Sequence, residues 1–323
     1  MNEKLPKHMT TNITLPVISA PMFLISSPKL VIESCKLGVI GSFPTLNART
    51  VDILEDWMAE ISTELAIAKK EDPQLKVAPW AVNFIVHQTN PRYEEDLRLI
   101  TKYQPPIVIT SLGNPSAVVE IVHQYGGLVF ADVSNIPHAR KAAKTGVDGL
   151  ILVCSGAGGH AGTINSFAFA GEVRKFWDGI TVLAGCITTG RDILAVEALG
   201  MDMAYIGTRF ISAKESFASE DYRDMLIDAS VDDLIYTDAI SGVYANYLKE
   251  SILNAGIDIN ELEKKQTVDF SFMNQTNAKA WKDIFSAGQG VGQISRAQTV
   301  AEIIEEMQNE YHLAKGRLSE TLV

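Results

Sequence analysis

Short apolar runs alternate with amphipathic segments along most of the chain. The runs cover positions 16–20, 38–42, 77–85, 107–111, 128–132, 149–153, 180–184 and 203–207. They are too short for core helices and rich in β-branched residues, as strands buried on both faces of a parallel sheet are. The segments 51–70, 93–103, 115–125, 136–145 and 192–199 read as the crossover helices between them. Pro115 and Pro137 stand near helix starts, where a missing N–H costs little, and Gly126, Gly146 and Gly200 suit the position just past a helix end. Eight strands in βα alternation predict an α/β fold, a (β/α)8 TIM barrel with its functional loops after the strand C-termini. A doubly wound sheet is the competitor. The first run, however, leads into Pro-Met-Phe-Leu-Ile-Ser-Ser-Pro at 21–28, not into a G-x-G-x-x-G turn.

The rhythm changes after Phe210. Positions 216–231 read as a charged helix, 234–236 as a brief apolar run and 244–254 as another helix, with further helical candidates at 260–265 and 277–285. Positions 302–314 return to a clear amphipathic pattern. The expected organisation is a barrel body over 1–215, an inserted, mainly helical lid over 216–280 and a return segment over 281–323 that packs on the body. Gly256 and the polar stretch 274–277 are the expected joints.

Composition narrows the function classes. The chain has 323 residues, 46% hydrophobic and 21% charged, with a formal net charge of -11. That balance suits a folded enzyme and argues against a general nucleic-acid backbone binder. No run of 18 apolar residues suggests a membrane span, and the first twenty residues lack the apolar core of a signal peptide. Cys35, Cys154 and Cys186 are too far apart for a metal motif and odd in number, which favours a reducing compartment. The expected location is the cytoplasm, with no nucleic-acid, membrane or metal partner and with homo-oligomerisation left open. Trp57, Trp80, Trp177 and Trp281 are scattered as packing residues are.

The candidate chemistry lies at strand ends. Ser155-Gly-Ala-Gly-Gly-His-Ala-Gly162 follows the sixth run directly. Its glycines permit tight turns and close approach of backbone N–H groups to a ligand. His160 within it is either a general base or a surface histidine on a structural turn. Ala184-Gly-Cys-Ile-Thr-Thr-Gly190 and Gly207-Thr-Arg-Phe210 follow the last two runs, where barrels of this type cradle phosphate on backbone amides. Gly185, Gly207 and the Thr208 hydroxyl are the candidate donors; Arg209 pairs either with phosphate or with a carboxylate in the barrel wall. Met22 and Asn83 face the mouth as cofactor contacts, or else cap the core and satisfy loop carbonyls. Gln289, in Gly288-Gln-Gly-Val-Gly292, closes over a ligand or simply belongs to a glycine turn. Tyr244, Asn246 and Tyr247 are candidate lid contacts. His87 and His138 sit near strand-to-helix loops.

Taken together, Ala20-Pro21-Met22, Asn83, Gly156-Ala-Gly-Gly-His-Ala-Gly162, Ala184-Gly185, Gly207-Thr-Arg-Phe210 and Ala287-Gly-Gln-Gly290 resemble the nitronate monooxygenase family, formerly called 2-nitropropane dioxygenases. The resemblance implies an FMN-containing barrel with a lid. It also implies oxidation of alkyl nitronates, and of some nitroalkanes, by molecular oxygen to carbonyl compounds and nitrite or related nitrogen oxyanions. By the same resemblance His160 is the catalytic base, Gly159 lies beside the flavin, and Met22 and Asn83 lie at its ring or ribityl side. Gly185, Gly207 and Thr208 fall to the phosphate, and Gln289 to a cofactor-proximal loop. The family's commoner Glu-Ala-Gly-Gly-His reads Gly156-Ala-Gly-Gly-His160 here, and its Ala-Gly-Gly-Ile reads Ala184-Gly-Cys-Ile187. The alternatives are an NAD(P)H-dependent flavin reductase of the enoyl-acyl-carrier-protein reductase or quinone reductase type, and a noncatalytic flavin-binding module.

Overall fold

The computed structural model describes residues 4–262 and 283–321. Eight parallel strands close into a barrel: β1 (Val17–Ser19), β2 (Ile40–Pro44), β3 (Ala81–Ile85), β4 (Ile107–Ser111), β5 (Leu128–Val133), β6 (Gly149–Val153), β8 (Ile180–Ala184) and β9 (Met203–Ile206). Closure is direct, because β1 pairs with β9 through Val17 opposite Ala204 and Ile18 opposite Tyr205. The eight apolar runs are these eight strands, and the doubly wound alternative is excluded. Gly126, Gly146 and Gly200 all adopt left-handed φ values, as expected just past helix ends.

Side-chain alternation splits the core into two shells. Ile107, Ile109, Phe130, Ile151 and Val182 fill the barrel, while Val108, Val129, Leu150, Leu152 and Leu183 pack outward against the helices. One crossover helix escaped the apolar pattern. It spans Pro28–Lys36, with Ser27 accepting a 2.9 Å hydrogen bond from the Leu30 amide and Pro28 at its first turn. A second, Ser166–Val173, is capped by Asn165.

Beyond the barrel the expectations were partly corrected. The helix expected over 244–254 divides into a strand, β11 (Ala245–Leu248), and a short helix, Lys249–Asn254. β11 pairs with β10 (Leu234–Thr237) on one side and with β7 (Gly159–His160) on the other. The described part of the segment after Phe210 is thus joined, through a small antiparallel sheet, to two residues of the Gly-rich loop. A sequence of one strand-length per partner carries too little periodicity to announce this pairing. The candidate joint at 274–277, most of the helical candidates at 260–265 and 277–285, and Trp281 lie outside the described residues.

The final helix, Val300–Thr321, packs on the helix Gly190–Ala198. Contact is backbone to backbone at Gly190: a β-carbon there would stand 2.1 Å from the Met307 carbonyl oxygen. The Gly190 amide donates to Glu310 Oε2 at 2.8 Å, and the Tyr311 hydroxyl donates to Glu197.

Candidate active site

At the C-terminal ends of the strands lies a cavity of about 800 Å³, within the range of cofactor and substrate sites. Its floor is the last inward-facing layer of the barrel. The alternation that places Ala81, Ile109, Phe130 and Met203 inside also places Asn83, Ser111, Asp132 and Tyr205 inside, one step nearer the mouth. These polar residues are organised. Asn83 Nδ2 donates to the Ile109 carbonyl at 3.1 Å and to Ser111 Oγ at 2.7 Å, and Ser111 Oγ donates to Asp132 Oδ2 at 2.5 Å. Burial pushes the Asp132 carboxyl up to about 6, against the Ser111 hydrogen bond, which lowers it.

Three loops converge above this floor. The Gln289 amide donates to the Gly156 carbonyl at 2.9 Å, and the Gly288 amide donates to Thr208 Oγ1 at 2.9 Å. A β-carbon on Gly158 would stand 2.9 Å from the Gly288 nitrogen and 3.0 Å from Thr208 Oγ1. Glycine is therefore required where the loops after β6 and β9 meet the returning segment. Gly156 has φ +85°, and a β-carbon there would approach Gln289 Oε1 to 2.8 Å. The glycine that replaces the family's commoner glutamate is the space into which Gln289 packs.

His160 enters from the loop side. Its backbone is fixed by pairing with Ala245, and the neighbouring Ala161 amide donates to the Tyr244 carbonyl at 3.2 Å. Asn246, buried on β11, donates to the Ala157 carbonyl at 2.8 Å, and the Tyr236 hydroxyl donates to the Ala161 carbonyl at 3.0 Å. Tyr236 and Tyr244 stack with centroids 5.0 Å apart. The residue as a whole is half-buried, but its Nε2 is withdrawn from solvent. Burial lowers the imidazole to about 4, so the ring is neutral near pH 7. Neutral, the ring carries one N–H donor and one acceptor nitrogen and no charge.

Met22, Asn83, Gly159, His160, Gly185, Gly207 and Thr208 all line the one cavity. Gln289 does not; its side chain is exposed, and its neighbours Gly288 and Gly290 form the wall. The Met22 amide is occupied by Ser26 Oγ at 2.9 Å, and its carbonyl accepts from Asn47 Nδ2 at 3.0 Å. What Met22 offers the cavity is its thioether, whose sulfur would be 3.7 Å from a β-carbon on Gly207. Arg209 resolves to the wall: buried, it donates to Gln298 at 2.6 Å and Glu306 at 2.7 Å. Of the lid candidates, Asn246 touches the Gly-rich loop, whereas Tyr247 is packed inside with its hydroxyl on Ser241. Ser111, Asp132 and Tyr205 were missed. The signal was present, since each is a polar residue at the last inward position of an apolar run.

Cys186 occupies the loop after β8 with φ +56°, a left-handed conformation that favours glycine. Relieving that strain outweighs the added flexibility of the unfolded chain. Cys186→Gly is expected to raise the stability of the protein by about 0.5–1 kcal/mol, read as a higher denaturant midpoint. An unchanged or lower midpoint would show that the thiol's packing compensates.

The model of the nitronate monooxygenase family matches residues 4–310. The chain belongs to that family. It is 25% identical to a nitronate monooxygenase of Neurospora crassa, over 94% of this chain and 89% of the relative. It is 26% identical to one of Paraburkholderia phytofirmans, over 92% of each. Among solved structures it resembles a nitroalkane oxidase from Streptomyces ansochromogenes, with TM-score 0.78 and 22% identity over 97% of this chain and 100% of that one. FabK from Thermotoga maritima is as similar in fold, with TM-score 0.77 and 22% identity over 98% and 99%. Membership of the nitronate monooxygenase family places the chain among flavin-dependent oxidoreductases.

Proposed function

We propose that the protein is an FMN-dependent nitronate monooxygenase. It oxidises alkyl nitronates, and nitroalkanes that it first deprotonates, with molecular oxygen to carbonyl compounds and nitrite or related nitrogen oxyanions. One observation carries the reading. A desolvated histidine and the glycine-rich ends of β6, β8 and β9 share a single cavity over a polar barrel floor. The cavity also fits the cofactor. It is large enough, it has amide and hydroxyl donors at Gly185, Gly207 and Thr208 for a phosphate, and buried oxygens of Asp132 and Tyr205 in its floor lack partners among the described residues. Asn83 and the Met22 thioether would border the ring or ribityl chain, with Gly159 beside it. Bound there, FMN supplies two-electron oxidation and reactivity toward oxygen.

The chain's own part is binding and proton transfer. Neutral His160 accepts the proton from the carbon next to the nitro group. The nitronate formed then stabilises the imidazolium by charge, offsetting the burial that makes the free ring a weak base. A preformed nitronate skips this step. The described part of the lid candidate, 216–262, is held to the Gly-rich loop through β11 and would act as a cover that limits water at the site.

Anaerobic addition of alkyl nitronates, propionate-3-nitronate, NADH and NADPH to the purified protein, each separately, tests the assignment. Nitronates are expected to bleach the flavin absorbance, and heat release is expected to yield FMN. Bleaching by NADH or NADPH with no response to any nitronate would replace this reading with a nicotinamide-dependent reductase. Recovery of FAD alone would overturn the cofactor assignment.

A further inference from the structure

Two oxygens in the cavity floor are unpaired among the described residues. Asp132 Oδ1 and the Tyr205 hydroxyl are buried and have no hydrogen-bond partner among the described residues, although both residues line the cavity. Buried polar atoms of this kind are costly unless something pairs with them. The other carboxylate oxygen is fixed by Ser111, which is itself held by Asn83, so the carboxyl is tethered at one end. The torsion that turns an aspartate carboxyl is soft, which lets either oxygen face the cavity.

The chemistry of the pair selects a ligand edge. At pH 8 the Asp132 carboxyl, with its value near 6, is a carboxylate and only accepts. Tyr205 is held well above the ordinary phenol value by burial and by the Asp132 charge, so it stays protonated and donates. A planar edge with an N–H next to a C=O complements both. A nitronate is an anion with acceptors alone and is repelled by the carboxylate, so it belongs nearer His160.

We propose that Asp132 accepts the imide N–H of the flavin ring while the Tyr205 hydroxyl donates to a neighbouring ring carbonyl. This rests on the FMN assignment and adds a positioning pair to it. Asp132 is on β5, and the candidate phosphate donors follow β8 and β9, so cofactor contacts span the mouth. The pair would fix the orientation of the ring and reject flavins blocked at that nitrogen.

Flavin-free full-length protein titrated at pH 8 with FMN and with N3-methyl-FMN, followed by flavin fluorescence, tests the proposal. The wild type is expected to bind FMN roughly 10- to 100-fold more tightly, the worth of a hydrogen bond to a charged group. Asp132→Ala should weaken FMN binding and bring the ratio of the two affinities close to one. Tyr205→Phe should weaken both flavins alike and preserve the ratio. Equal binding of the two flavins by the wild type overturns the proposal, and does so even if Asp132→Ala fails to fold. A full ratio retained in folded Asp132→Ala assigns the acceptor elsewhere and also overturns it. Binding of neither flavin removes the FMN assignment together with this inference, whereas equal binding removes the inference alone.

Discussion

Replacing His160 with Asn is expected to lower kcat/KM for a neutral nitroalkane by roughly 10²–10⁴-fold, the range for a lost general base. A preformed nitronate, having no such proton to lose, should be affected much less. FMN should remain bound, because the candidate phosphate donors Gly185, Gly207 and Thr208 lie on other loops. The measured quantity is the ratio of the two losses at matched flavin occupancy. Equal losses would leave His160 an orienting or structural residue. The pH profile supplies an independent check. As the proposed base, His160 works unprotonated, and burial lowers its value to about 4. Wild-type kcat/KM for a nitroalkane should therefore hold down to about pH 5 and fall only as pH approaches 4. An acid limb centred near the ordinary imidazole value of about 6.5 would show that the ring is more hydrated in the working enzyme.

Gly190→Ala should destabilise the fold by about 2–3 kcal/mol, in the range for inserting a methyl group into close packing. The added carbon would stand 2.1 Å from the Met307 carbonyl oxygen and 2.3 Å from the Tyr311 nitrogen. Both are backbone atoms of the final helix, so no side-chain rotation relieves the contact and the two helices must part. Separation also weakens the Gly190 to Glu310 hydrogen bond. Gly316→Ala, in the same final helix, is the control. A β-carbon there meets nothing within 4 Å, so the better helix propensity of alanine should stabilise by about 0.5–1 kcal/mol. Denaturant midpoints of the two variants should shift in opposite directions. Equal or like-signed shifts would contradict the close contact.

The barrel was legible because its information is local and repeated. Each strand is a short apolar run, each long crossover helix has a 3.6-residue stripe, and both patterns follow from which side chains must leave water. The stretch before Pro28–Lys36 hid its helix, since the loop at 21–28 is itself apolar and blurs the boundary. The strand Ala245–Leu248 was misread as part of a helix for a related reason. Its partners, Gly159–His160 and Leu234–Thr237, are remote in sequence, and strand pairing is decided by partners.

The candidate site divides along the same line. Sequence alone determined the loops: glycines packed around His160 and after the last two strands, at positions where only a small residue lets backbones approach. It also determined the family, through motifs whose order survives at low identity. Only the tertiary structure decided how those loops meet. The contacts of Gly158 with Thr208 and Gly288, Gln289 seated against Gly156, and Arg209 turned to Glu306 depend on residues far apart in the chain. The environment of the ionisable groups was likewise invisible. His160 and Asp132 are shifted by desolvation, which is set by everything packed around a side chain and by nothing in its immediate sequence.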